Sequence, residues 1–111
     1  MKDIQIIRIP SNLSLKEPLI WIATLNSECI GHVRLSIENT KIKYHDAWVH
    51  PNYRRQGIYT MLWEARDTYA KHHYPGQKSY AWCKATSLPL YIKKGYVQGE
   101  SCIYVEKDLE S

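Results

Sequence analysis

Apolar positions change period several times along the chain, and each change marks an element. Isoleucines 4, 6, 7 and 9 alternate loosely until Pro10 stops them, which predicts an edge strand over residues 4–9. Residues 11–18 are polar, with a weak helical pattern. Residues 19–25 are apolar and partly β-branched, and Asn26-Ser27-Glu28 reads as a hairpin turn. Residues 29–37 return with Ile30, Val33, Leu35 and Ile37 as apolar positions. After the turn residues Glu38-Asn39-Thr40, residues 41–50 alternate. Ile42, Tyr44, Asp46, Trp48 and His50 fall on one side, and Lys43, His45, Ala47 and Val49 on the other.

Pro51 ends that strand, and the period then becomes helical. Ile58, Met61, Leu62, Ala65 and Tyr69 share a face through about His73, with Asp67 and Lys71 pairing at i,i+4 on the wet side. Tyr74-Pro75-Gly76 terminates the helix. Residues 79–85 predict an aromatic-rich strand. Ser87 is placed to cap a short helix over residues 89–94, with Gly95 as its stop. Residues 96–98 and 102–106 form a last strand pair. The result is an α/β fold with a mixed, mostly antiparallel sheet, one long helix and one short helix.

At 111 residues this is one domain, residues 1–111. No apolar run reaches the ~18 residues of a membrane span. The N-terminus lacks the pattern of a secretory leader, and three cysteines (Cys29, Cys83, Cys102) make no disulfide framework. These features predict a reducing, cytoplasmic setting without a membrane. Phe is absent, while nine Tyr and four Trp supply every aromatic ring, so each ring brings a polar atom that needs a partner. Charge is uneven: residues 41–94 hold ten Lys/Arg against three acids, or +7, and the remainder holds five against eight, or −3. Either this is an ordinary basic face, or the middle of the chain meets an anion such as a phosphorylated cofactor or nucleic acid.

The strand–loop–helix joint at residues 49–61 is where that anion fits. A helix N-terminus leaves unpaired N–H groups and partial positive charge; Gly57 lets backbone amides curl inward, and Arg54 and Arg55 add two cations. Such a joint suits a diphosphate. Val49-His50-Pro51-Asn52-Tyr53-Arg54-Arg55-Gln56-Gly57-Ile58 resembles the acetyl-CoA-binding signature of the GNAT superfamily of N-acetyltransferases. Leu90-Tyr91-Ile92-Lys93-Lys94-Gly95-Tyr96 resembles the family's second motif, Leu-Tyr-x-x-x-Gly-Phe, with Tyr96 for Phe. The two stand in order, one helix and one strand apart, and the likeness covers roughly residues 19–109.

The resemblance implies a single-domain GNAT-like fold and direct transfer of acetyl from acetyl-CoA, the cosubstrate, to a primary amine, with no metal. It places the pyrophosphate on the amides of Arg55, Gln56, Gly57, Ile58, Tyr59 and Thr60, beside Arg54. It places the pantetheine arm on the backbone of Trp48 and Val49, where an amide could also polarise the thioester carbonyl. Tyr91 matches the family's acid for the departing thiolate. For the base, His45 is the first choice, Asp46 the second and water the third. Tyr59 stands where the family has a small residue and must turn its ring aside. Lys84 stands about where many members carry Asn.

Family members usually put two lid helices between the first strands; residues 10–18 leave room for one turn. That implies an open acceptor side, suited to a bulky or protein amine, or completed by a homodimer or partner subunit. An alternative is a non-catalytic CoA-binding module that regulates a partner protein. A nucleic-acid binder is disfavoured, since no such motif is present and the Arg pair has a diphosphate to meet.

Overall fold

A computed structural model describes residues 3–9, 18–45, 47–99 and 104–109. The weak helix read over residues 11–17, the lid segment, Asp46 and Cys102 lie outside the described residues. Among those described, eight strands form one sheet: β1 Gln5–Ile9, β2 Leu19–Leu25, β3 Glu28–Ile37, β4 Lys41–Tyr44, β5 Trp48–Val49, β6 Lys78–Trp82, β7 Val97–Gln98 and β8 Tyr104–Asp108. The helices are α1 Ile58–His73 and α2 Leu88–Lys93, and a short 3-10 turn occupies Pro51–Tyr53. The sheet order is β1-β2-β3-β4-β6-β8-β7, with β5 paired to β3. Each pair is antiparallel except β4–β6, whose parallel register is the natural product of a crossover through α1. This is the mixed, mostly antiparallel architecture with one long and one short helix that the sequence predicts.

The β2–β3 hairpin turns through Asn26 and Ser27, both at positive φ (52° and 67°), which matches the right-handed twist of the strands. Leu19, Trp21, Ala23 and Leu25 alternate into the core as a half-buried strand should. In β3 the register slips between Ala23 and Thr24, so Ile30 is an extra residue. That bulge explains how Ile30, Val33 and Leu35 are all buried although their spacing breaks strict alternation.

A second bulge revises the reading of residues 41–50 as one strand. Leu35 faces Tyr44 and Ser36 faces Lys43, but Gly31 faces Val49 and His32 faces Trp48. The first register, carried on, would set Trp48 opposite Gly31; one extra residue is taken up after His45. The alternation therefore changes phase. Val49 joins Ile42 and Tyr44 in the core, and Trp48 points the other way, 38% exposed.

The buried face of α1 also differs from the predicted one. Ile58, Leu62, Trp63, Arg66, Asp67 and Ala70 are buried, whereas Met61, Ala65 and Tyr69 lie at its margin. Asp67 pairs with Lys71 at 3.2 Å as expected, yet it is buried rather than wet, because the Tyr44 hydroxyl donates to it at 2.7 Å. Buried charges persist where hydrogen bonds replace water, and Arg66 and Asp67 both have them. Around them Tyr44, Trp63, Tyr91 and Tyr96 meet edge to face, or tilted in the case of Tyr44 and Tyr96, with centroids 5.0–6.2 Å apart. Tyr96 shares a 2.7 Å hydrogen bond with Ser79. Hydrogen bonds thereby reach the hydroxyls of Tyr44, Tyr91 and Tyr96, while Trp63 Nε1 is buried with no hydrogen-bond partner among the described residues.

Candidate active site

The bulge opens the sheet. β4 pairs with β6 through Lys41–Lys43, but β5 departs to β3, so β5 and the end of β6 diverge. A cavity of about 570 Å³ fills the wedge. Ala47, Trp48 and Val49 form one wall, and Lys84, Thr86 and Ser87 the other. The residues from Tyr53 to Thr60, Gln56 excepted, close the end.

Backbone alternation fixes which groups face this space. The His50 N–H donates to the Ile30 carbonyl at 2.8 Å, making that a hydrogen-bonded pair. The next pair in an antiparallel ladder is not hydrogen-bonded, so the N–H and C=O of Val49 turn away from β3. The Val49 carbonyl accepts Arg54 Nε–H at 2.9 Å, as that orientation requires. Trp48, one step on, spends its backbone groups on His32 of β3. Of the two residues assigned to the pantetheine arm, Val49 presents backbone to the wedge and Trp48 presents its side chain.

Gly31 makes the divergence sterically feasible. A Cβ there would lie 2.9 Å from the Trp48 carbonyl oxygen and 3.2 Å from Leu62 Cδ1. Only a glycine lets β5 approach β3 so closely.

The loop into α1 is wound for an anion. Gly57 sits at φ 80° as the N-cap, and Arg55 adopts φ 65° despite its side chain. No side chain caps the helix and its first turn holds no acid. The first amides and the positive helix end therefore face the cavity without an internal anion. Ser87, at the corresponding position of α2, makes no capping bond either. Tyr59 packs against the core and also lines the cavity.

The structure brings together Trp48, Val49, Arg54, Arg55, Gly57, Ile58, Tyr59 and Thr60. Gln56 lies apart, its amide reaching back to the Asn52 carbonyl at 3.5 Å. His45 and Tyr91 are outside the cavity lining. His45 Nε2 lies 2.6 Å from Ser36 Oγ on the sheet face away from α1. Burial, then the charges of Arg34, Lys43 and Arg66, hold its imidazole down to about 4. Tyr91 is fully buried, edge-on to Trp63 and Tyr96.

Arg66 was not anticipated, and it joins these two residues. Fully buried, its Nη1 donates to the carbonyls of His45 (2.6 Å) and Arg34 (3.1 Å), and its Nη2 to Tyr91 Oη (3.2 Å). Its guanidinium also lies 4.5 Å over the Tyr44 ring. The signal was present in the sequence: Ile58, Leu62, Arg66 and Ala70 form one i,i+4 row. Among the described residues no three His, Cys, Asp or Glu side chains converge to hold a metal, and no helix is long and apolar enough to cross a membrane.

Residues 3–96 match the family model of the acetyltransferase (GNAT) family. No curated protein matches the chain. Among solved structures, the PaiA N-acetyltransferase of Thermoplasma acidophilum, in complex with coenzyme A, is 18% identical at a TM-score of 0.71. That match covers 82% of this chain and 60% of the other, so the chain spans three fifths of that relative's length. The IAA acetyltransferase of Bacillus cereus is 16% identical at a TM-score of 0.77, covering 96% of this chain and 100% of the other. A GNAT family acetyltransferase of Elizabethkingia anophelis, with acetyl-CoA bound, is 17% identical at 0.76, covering 96% and 98%. At such identities the structures establish the fold, and the family model establishes kinship. Matched by the family model over most of its length, the chain belongs to the acetyltransferase (GNAT) family.

Proposed function

We propose that this chain transfers an acetyl group from acetyl-CoA to a primary amine by direct attack within a ternary complex. The observation that carries the reading is the Val49 backbone turned into a wedge of about 570 Å³ whose far end is an uncapped helix N-terminus. Bound acetyl-CoA supplies the activated acyl group. The amides of residues 55–60 and the Arg54 and Arg55 side chains neutralise its diphosphate. The Val49 N–H orients the pantetheine arm or polarises the thioester carbonyl.

Tyr91 is the proposed acid for the thiolate. The Arg66 guanidinium at its oxygen is placed to balance the negative charge a phenol acquires on giving up its proton. His45 is the proposed acceptor of the amine proton. With an imidazole held to about 4, it is suited to pass a proton onward through Ser36 or water rather than to keep it. Asp46 and water remain the other candidates. The proposed setting is cytoplasmic, with the acceptor meeting the sheet face that α1 leaves uncovered.

The position of His45 and Tyr91 outside the cavity lining favours a second reading, a CoA-binding module that regulates a partner without chemistry. Calorimetry with acetyl-CoA, followed by thiol-release assays across an amine library, separates the two. Transfer to an amine that slows at least tenfold in Tyr91→Phe, with acetyl-CoA affinity kept, supports the enzyme and its acid. Tight binding with no thiol released on any amine supports the module.

A further inference from the structure

α1, and Tyr91 of α2, cover one face of the sheet; the other face carries His32, Arg34, Lys43, His45 and Trp48 around the second bulge. Alternation opposite the buried Val33, Leu35, Ile42, Tyr44 and Val49 puts them there. Direct contacts agree: His45 reaches Ser36, and the Trp48 ring stacks on His32 with centroids 5.6 Å apart and planes 27° apart. The cavity connects the two faces, because its lining includes both Ile58 on the α1 side and Trp48 on the open side. The acyl end of a cofactor held at the α1 N-terminus would therefore be approached from the open face.

That face is cationic where it meets the wedge. Arg34 is exposed and lies across from His45, whose N–H donates to the Arg34 carbonyl at 3.2 Å. Lys43 is two positions from His45, about 7 Å along the strand. Glu38, held by the Tyr80 hydroxyl at 2.8–2.9 Å, opposes these cations in part and raises the His45 imidazole, while Glu106 pairs with Lys78 at 3.5 Å. Both histidines register the resulting potential. Burial lowers each imidazole first, and the charge of Arg34 lowers each further.

Resting on the acetyl-transfer reading above, we propose that the acceptor is a primary amine bearing a carboxylate or phosphate and a flat ring. Its anion lies against Arg34 and Lys43 and its ring against Trp48. A simple cationic amine is repelled by this face, whereas an anionic group turns the same charges into attraction.

The test uses CoA-loaded protein and matched amines of similar basicity: L-phenylalanine against phenethylamine, and L-tryptophan against tryptamine. The phosphonate analogue of phenylalanine separates phosphate from carboxylate recognition. NMR titration reads Kd, and thiol release with acetyl-CoA reads kcat/KM. The expected result is at least tenfold tighter binding of the anion-bearing member of each pair. That preference falls at least tenfold in Arg34→Gln/Lys43→Gln, with acetyl-CoA affinity by calorimetry within twofold as the check on folding. Equal or tighter binding of the neutral-bodied amines, or a preference unchanged in the double variant, overturns the inference. Preferential binding without thiol release leaves the acceptor class standing and removes the transfer reading instead.

Discussion

Arg66 Nη2 donates to the phenol oxygen of Tyr91 at 3.2 Å, while Nη1 of the same guanidinium holds the carbonyls of His45 and Arg34. One buried cation thus fixes the bulge that opens the wedge and the residue proposed to protonate the thiolate. Neither contact is visible from the cavity, which makes Arg66 a positioning residue.

Arg66→Met keeps the volume and removes the donors. The His45 carbonyl loses its donor, at about 1–3 kcal/mol, the Arg34 carbonyl keeps the His45 N–H, and relief from burying an ion offsets part of the cost. The expected net loss in urea denaturation is roughly 1–2 kcal/mol. Acetyl transfer should fall through kcat more than through the KM for acetyl-CoA, because the diphosphate contacts are untouched. A denaturation midpoint equal to that of the wild type would show that the bulge stands without Arg66.

His45 makes stability fall with acidification. Its folded imidazole sits at about 4 against 6.5 unfolded, so between those values the unfolded chain binds the extra proton. Stability should therefore be full above about pH 6.5, decline toward pH 4 and change no further below it through this group. His32, also lowered, adds in the same direction. The difference in melting temperature between wild type and His45→Asn, followed from pH 7 to 4, isolates the effect from carboxylate titration. A difference independent of pH would refute the assignment.

Gly31→Ala places a methyl 2.9 Å from the Trp48 carbonyl oxygen and 3.2 Å from Leu62 Cδ1, and the first of these neighbours is backbone. β5 must move to admit it, at about 1–3 kcal/mol. Since Val49 moves with β5, acetyl-CoA affinity should drop about tenfold. The comparison is Gly76→Ala, where a Cβ meets nothing within 4 Å and the cost is that of positive φ alone. Gly76→Ala should lose stability and keep affinity. Equal affinity loss in both would mean that β5 does not control the site.

The order of elements, the long helix and the anion-binding joint were legible because each rests on local pattern: period, a proline stop, Gly57 before an amphipathic run. What escaped depends on residues far apart in the chain. The one-residue slip after His45 is set by pairing with β3, and it moved Val49 into the core and Trp48 out of it. Asp67 looked like half of a solvent-facing i,i+4 pair because the Tyr44 hydroxyl that buries it lies 23 residues away. Arg66 was passed over for the same reason: its partners come from β3, the bulge and α2. Periodicity reports which side a residue faces only while the register holds.

Arg55 offers a trade between stability and binding. It is a non-glycine residue at φ 65°, a conformation costing roughly 1–2 kcal/mol, in a loop whose amides face the cavity. Arg55→Gly relieves that strain and gives back part of the gain as chain entropy, for a net stabilisation of about 0.5–1 kcal/mol. It also deletes a cation proposed to meet the diphosphate. Acetyl-CoA should bind about five- to tenfold more weakly, and the salt dependence of Kd should flatten as one ionic contact is lost. Calorimetry at two salt concentrations and a urea titration measure both sides. A variant that is less stable than wild type, or that binds with the same salt slope, would mean that the Arg55 backbone is not strained for the sake of the anion.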